Sequence, residues 1–268
     1  MMTTSETRAD ETPDIPLLRP DWPVPDGIHA VVTTRGGGVS EGAFGSLNLA
    51  DHVGDDPGAV AENRARLAAR LALPVEPAWL EQVHGTTVAA AEYGPGQTAD
   101  AVVARDPEAV CAVLTADCLP VLFCHPDSGT VAAAHAGWRG LADGVLTETV
   151  AAMAVPPAEI LAWLGPAIGP DAFAVGPEVR DAFEARDPEA AAAFVEGEKG
   201  TVPFSDNGDG PLLADIYQLA RLDLRRAGVA AVYGGGHCTV TEADRFFSYR
   251  RDGGVTGRMA TLIWNGIV

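Results

Sequence analysis

The sequence predicts one mixed α/β (α+β) domain with a sheet core. Short apolar, β-branched runs interleave with helix-periodic stretches along the whole chain, the pattern of sheets covered by helices. At 268 residues the chain can support one large core, or two small domains at most, and no repeat or linker divides it. Hydrophobic residues make 47% and charged residues 21%, ordinary for a globular protein.

The elements follow in order. Residues 1–15 lack the basic start and apolar core of a signal peptide and read as a disordered tail, which leaves 16–268 as the domain. A strand is predicted over 28–34, followed by Arg35 and three glycines, a backbone able to approach a ligand closely or simply to turn. No GK[ST] follows, so this is not a P-loop. The spacing predicts a helix over 57–72, capped by Asp55 or Asp56 and opened by Pro57. Strands are predicted at 78–83, 88–91, 101–103 and 110–114. Two more, at 119–123 and 131–134, each have a chemically active residue at an end: Cys118 precedes the first and His135 follows the second. A helix over 138–153, a strand at 160–164, and helices over 178–185, 189–195 and 212–227 come next, with a surface loop at 197–210. A strand at 229–233, a polar-aromatic segment at 244–258 and a strand at 259–264 complete the reading.

Charge narrows the function classes. With 18 Lys+Arg against 37 Asp+Glu, the net charge is -19, which argues against a nucleic-acid partner. An anionic substrate would need a local arginine cluster. No run approaches the roughly 18 apolar residues of a membrane span. Four cysteines without an export signal predict reduced thiols and a cytoplasmic location. The chain lacks heptads, and a monomer is expected.

The candidate site is drawn from strand ends. Most histidines in a chain are structural, but His84 and His135 each close a predicted strand ahead of a small residue, and Cys118 sits in a matching place. Brought together they form a His2Cys set suited to zinc, with a fourth position open. Zinc there lowers the pKa of a bound water toward ~7. Asp117, beside Cys118, reads as a general acid or base, or as an orienter of a ligand. A metal-free alternative makes Cys118 a nucleophile and His135 its base.

The motifs QVHG (82–85), TADCLP (115–120), HAGWRG (135–140), LGPAIGP (164–170), FFSYRR (246–251) and GRMA (257–260), with TTRGGGVS and SLNLADHVGDD nearer the N-terminus, resemble the laccase-domain family, also called the multicopper polyphenol oxidase or YfiH family. Its members are also labelled purine nucleoside phosphorylases or peptidoglycan editing factors. The resemblance runs from Gly27 to the C-terminus. It implies an α/β/β/α sandwich similar to the deamidase domain of cytotoxic necrotizing factor, and a zinc (copper in older reports) on His84, Cys118 and His135. It also implies phosphorolysis of adenosine, inosine and 5′-methylthioadenosine, and hydrolytic deamination of adenosine. On that reading His84, Asp117, Cys118 and His135 are the catalytic set. Arg35 with the glycine amides is expected to hold phosphate, and Ser46 and Asn48 to bond the ribose. Arg139 is a second phosphate candidate or a brace for its own turn. A copper-dependent phenol oxidase is disfavoured, because multicopper chemistry needs more histidines than the six present. A non-catalytic zinc protein remains an alternative.

Overall fold

The C-terminal strand Met259–Asn265 is the spine of the first sheet. It pairs antiparallel with Ile28–Thr33 on one side and with Val110–Thr115 on the other, and Leu17–Leu18 extends the edge. The computed structural model describes residues 15–197 and 212–266. A second sheet of six strands has the order Ala231–Gly234, Leu161–Leu164, Leu119–Cys124, Val131–Ala136, Ala101–Ala104 and Val88–Ala90. Its central pairs are antiparallel and its outer pairs parallel.

Side-chain alternation explains the layers. Both sheets are apolar on both faces, as a covered sheet must be. Val113, Cys111 and Ile263 of the first sheet meet Val102, Leu122, Cys124, Ala133 and Trp163 of the second, forming the interior. The outer face of the second sheet, including Leu119, Val121, Phe123, Ala132 and Ala134, packs on helices. The outer face of the first, including Val31, Ala112 and Leu262, packs on Leu47, Leu49 and the helix Pro57–Leu71 (α1). The result is the expected α/β/β/α sandwich.

Helix α1 follows its sequence signals. The Asp56 side chain accepts from Ala59 N at 2.9 Å, Pro57 opens the first turn, and Val60 and Leu67 are buried. The predicted helix over 138–153 is instead two helices, Trp138–Asp143 (α2) and Val145–Met153 (α3). Gly144 between them adopts φ +99°, and a Cβ there would collide with the Arg186 guanidinium. The apolar period runs through the break, which is why it reads as continuous.

Helix Pro177–Arg186 (α4) matches its prediction within one residue. The segment 189–195 does not form the predicted helix: Pro188–Ala193 is a 3-10 turn and Phe194–Glu196 a strand. The predicted helix 212–227 also starts later. Leu212–Ala214 is a strand pairing with Ala174–Val175 and Phe194–Glu196, and the Asp215 carboxylate, accepting from Tyr217 N and Gln218 N, starts helix Ile216–Arg226 (α5). A further correction falls at 78–83, where only Leu80–Glu81 is strand, beyond an isolated bridge at Ala78.

Of the expected N-terminal tail, residues 1–14 lie outside the described residues, as does 198–211 of the expected loop. Ile15 is fully buried against the first sheet. No described helix is long and apolar enough to cross a membrane.

Candidate metal centre and its arginine-lined cleft

The site forms at the end of the second sheet where Leu119–Cys124 begins and Val131–Ala136 ends. His135 lies inside Val131–Ala136, not beyond it as predicted, and pairs with Pro120. It shares the parity of Ala133, which faces the sandwich interior, so its ring points between the sheets. Cys118 sits just before the neighbouring strand Leu119–Cys124, and His84 sits on the turn after Leu80–Glu81. The three ligand atoms lie within 4.8 Å of one another, with Cys118 Sγ 3.9 Å from His84 Nε2. The imidazoles meet edge to face at 4.8 Å. Gly137 makes this convergence sterically possible, since a Cβ there would stand 2.7 Å from His84 Cδ2 and 3.2 Å from Cys118 Sγ.

Backbone strain accompanies the cluster. His84 has φ +61° and Asp117 φ +87°, conformations that cost non-glycine residues and persist where the surroundings over-determine them. Asp117 is held by three bonds. Its carbonyl accepts from Ile168 N at 2.9 Å, and its carboxylate accepts from Thr239 Oγ1 at 2.5 Å and Arg250 N at 2.6 Å. Asp117 is 8% exposed, and each of its carboxylate oxygens accepts a hydrogen bond, an arrangement suited to orienting its neighbours. It shapes the backbone before Cys118 and anchors the loop carrying Arg250.

The electrostatics suit a metal. Burial pushes the Cys118 thiol up, but His135 and then His84 pull it further down, to about 6. Burial lowers His135, while the Cys118 charge and Asp100 raise it to about 9. Without metal these shifts favour a thiolate beside an imidazolium near neutral pH. His135 Nδ1 donates to Asp100 Oδ1 at 2.8 Å, which leaves Nε2 free to ligate, the carboxylate–histidine pattern of metal sites. Two imidazoles and a thiolate-prone cysteine fit a zinc-type donor set with an open fourth position. Among the described residues, this is the one cluster of His, Cys, Asp and Glu with metal-holding spacing.

The other histidines are engaged elsewhere. His29 stacks on Trp264, His125 bonds Ser128 and Glu159, and His237 bonds Glu242. His52 stands on the cleft wall.

A cleft of about 430 Å³ opens over the cluster, lined by Trp138, Arg139, Phe173, Tyr249, Arg250 and Arg258 among others. Arg139 is exposed and lies over the Trp138 ring at 4.3 Å. Arg250 bonds Ala174 O and lies near the Phe173 ring. Burial lowers the Arg258 guanidinium, an effect the neighbouring Cys118 and Asp117 charges partly offset. A second hollow of about 480 Å³, bounded by Tyr217, His237, Cys238 and Glu242, contains none of the three clustered ligands.

Three of the expected substrate residues do not line this cleft. The Arg35 guanidinium is spent on Gly45 O and Ala243 O and lies over the Phe247 ring. The Ser46 hydroxyl donates to Arg35 O and accepts from Gly38 N. Asn48 is fully buried, bonding Asp55 and Ala50 and accepting from Arg258 N. These residues brace the loop behind the cleft, because their polar groups satisfy buried backbone that would otherwise be orphaned. Arg258 and Tyr249, which line the cleft, and Asp100, which bonds the cluster, are not singled out by the sequence. The one sequence signal for Asp100 is that Thr98-Ala99-Asp100 repeats the tripeptide Thr115-Ala116-Asp117.

A two-sheet sandwich with a His2Cys cluster that could hold a metal ion is the arrangement this chain shares with the YfiH type. The family model described as "Multi-copper polyphenol oxidoreductase laccase" matches residues 29–266, and the chain belongs to that family. It is 55% identical over 250 residues to the purine nucleoside phosphorylase YfiH of Escherichia coli K12, covering 92% of this chain and 98% of the relative. A Pseudomonas aeruginosa protein of the same named activity is 54% identical over 247 residues, covering 92% and 97%. The crystal structure of a Neisseria meningitidis family member superposes with a TM-score of 0.85 at 55% identity, covering 94% of this chain and 99% of the other. YlmD from Geobacillus stearothermophilus superposes at 0.81 with 33% identity, covering 94% and 96%.

Proposed function

We propose that the protein is a zinc-dependent, cytoplasmic and monomeric purine nucleoside phosphorylase, with hydrolytic deamination of adenosine as a second activity of the same cleft. The single observation that carries the reading is the juxtaposition of a His2Cys cluster with Arg139, Arg250 and Arg258 in one cleft of a protein whose net charge is -19. Relatives covering nearly the whole chain carry the name purine nucleoside phosphorylase. Arginines gathered against so acidic a background fit an anionic co-substrate.

In phosphorolysis a phosphate oxygen bonds C1′ of the ribose while the C1′–N9 bond breaks, its electron pair passing to the purine, which takes up a proton. Arg250 and Arg258 hold the phosphate near the cluster, with Arg139 at the rim. Trp138, Phe173 and Tyr249 supply apolar and aromatic wall for the nucleoside. His84, Cys118 and His135 would hold the zinc, which would supply a Lewis acid and an activated water there. Asp117 keeps Cys118 and the Arg250 loop in place. Deamination adds water at the purine C6 and expels ammonia, without phosphate.

The test is product analysis of metal-quantified protein with adenosine, inosine and 5′-methylthioadenosine. Free base and ribose 1-phosphate (5-methylthioribose 1-phosphate from 5′-methylthioadenosine) formed only with phosphate support the reading, and inosine formed from adenosine supports deamination. Nucleoside left intact by zinc-loaded protein contradicts it. A metal-free Cys118–His135 hydrolase is favoured only by the thiolate–imidazolium pair. That reading requires full activity from metal-stripped protein, and its loss on thiol alkylation.

A further inference from the structure

We propose that Asp100 is a positioning residue that orients both imidazoles of the cluster with one carboxylate. The proposal rests on the metal reading of His84, Cys118 and His135 and is independent of the reaction assigned to the cleft.

Asp100 is fully buried and lies just before the strand Ala101–Ala104. Its Oδ1 accepts from His135 Nδ1 at 2.8 Å and from His84 N at 2.9 Å. Its Oδ2 accepts from Gly85 N at 2.6 Å and Val83 N at 3.2 Å. Four donors thus converge on two oxygens. Its main chain is engaged as well, with Asp100 O accepting from His135 N at 2.7 Å.

The three amides of residues 83–85 wrap the carboxylate as successive backbone N–H groups wrap an anion. This wrapping offsets the strain of His84 at φ +61° and so fixes the backbone from which its ring projects. The same carboxylate requires the proton of His135 on Nδ1, which leaves Nε2 for the metal. Among the described residues its ion-pair partner is His135 and no lysine or arginine. A buried carboxylate so placed is costly unless its neighbours compensate. Its role is therefore tied to the two ligands it holds.

Asparagine in its place offers one acceptor oxygen and turns an NH2 group toward N–H donors. Removing Asp100 therefore loosens two ligands together. The experiment titrates wild type and Asp100→Asn with cobalt(II), following the Cys–cobalt charge-transfer band and the d–d bands, with circular dichroism as the check on folding. A folded variant with affinity lowered about 10- to 100-fold, and with bands that depart from the four-coordinate pattern of the wild type, supports the proposal. A folded variant with wild-type affinity and bands overturns it. Wild type that takes up no cobalt overturns the metal reading, and this inference with it. If the variant does not fold, 15N NMR of the zinc-loaded wild type decides: a proton on Nδ1 of His135 supports the proposal, and one on Nε2 overturns it.

Discussion

Two side chains set the behaviour of the site with pH. Metal-free Cys118 loses its proton near 6 and His135 keeps its own to about 9. Between these values a metal that binds both must displace one proton, from His135. Apparent zinc affinity is therefore expected to rise about tenfold per pH unit across pH 6–9, more steeply below 6 where the thiol is protonated too, and to level off above 9. Calorimetry in buffers of different ionisation enthalpy checks this, and no proton release at pH 7.5 would contradict it. At Arg258, one guanidinium nitrogen donates to Thr256 O and Gly257 O; replacement by Gln removes the charged donor and those bonds while leaving its backbone bond to Asn48. The expected result is a KM for phosphate raised at least ~10-fold, about the 1.5–3 kcal/mol of a charge-assisted hydrogen bond, with zinc content unchanged. The three clustered residues are legible because each falls at a predicted strand end, although His135 lies inside its strand and His84 on a turn three residues past its own. Asp100 is not, because a lone buried carboxylate resembles any turn aspartate until the fold brings His135 to it. Arg35, Ser46 and Asn48 mislead for the opposite reason: a glycine-rich loop with polar residues looks like a ligand cradle, yet its polar groups are consumed by the loop itself.

The strands, rather than the helices, position the chemistry. Leu119–Cys124 and Val131–Ala136 hold Cys118 and His135 in fixed register through six residue pairs. Leu122 is fully buried between the sheets. Leu122→Ala is expected to destabilise by about 2–5 kcal/mol, measured by denaturant unfolding of metal-free protein, and a loss under 1 kcal/mol would contradict the packing described. These buried strands were readable as continuous apolar runs bounded by polar residues. The helix–strand errors at 189–196 and 212–214 have a common physical origin. Alanine- and leucine-rich segments satisfy a helical period, whereas the pairing of Leu212–Ala214 with Phe194–Glu196 is non-local and invisible to periodicity.

At the scale of the molecule, an acidic exterior surrounds a cleft with three arginines. Asp100, Glu92, Glu242 and Asp252 all have carboxyls held below their ordinary values by hydrogen bonds and cationic neighbours that outweigh burial. A depressed carboxyl contributes stability that is present above its unfolded value, near 4, and is lost as pH falls through its folded value. Asp223, raised by burial, works in the opposite sense. The metal-free protein is therefore expected to hold its Tm from pH 7 to about 5 and to lose it below about 4. A steep loss at pH 5–6 would show that other groups dominate. The central claim is that metal cluster and arginines act on one phosphate-consuming reaction. Phosphorus NMR of adenosine and phosphate, incubated with zinc-loaded and with metal-stripped protein, tests it most directly. A ribose 1-phosphate signal is expected to grow with the loaded protein and to be absent from the stripped protein until zinc is restored. Equal signal from both preparations, or none from either, would contradict it.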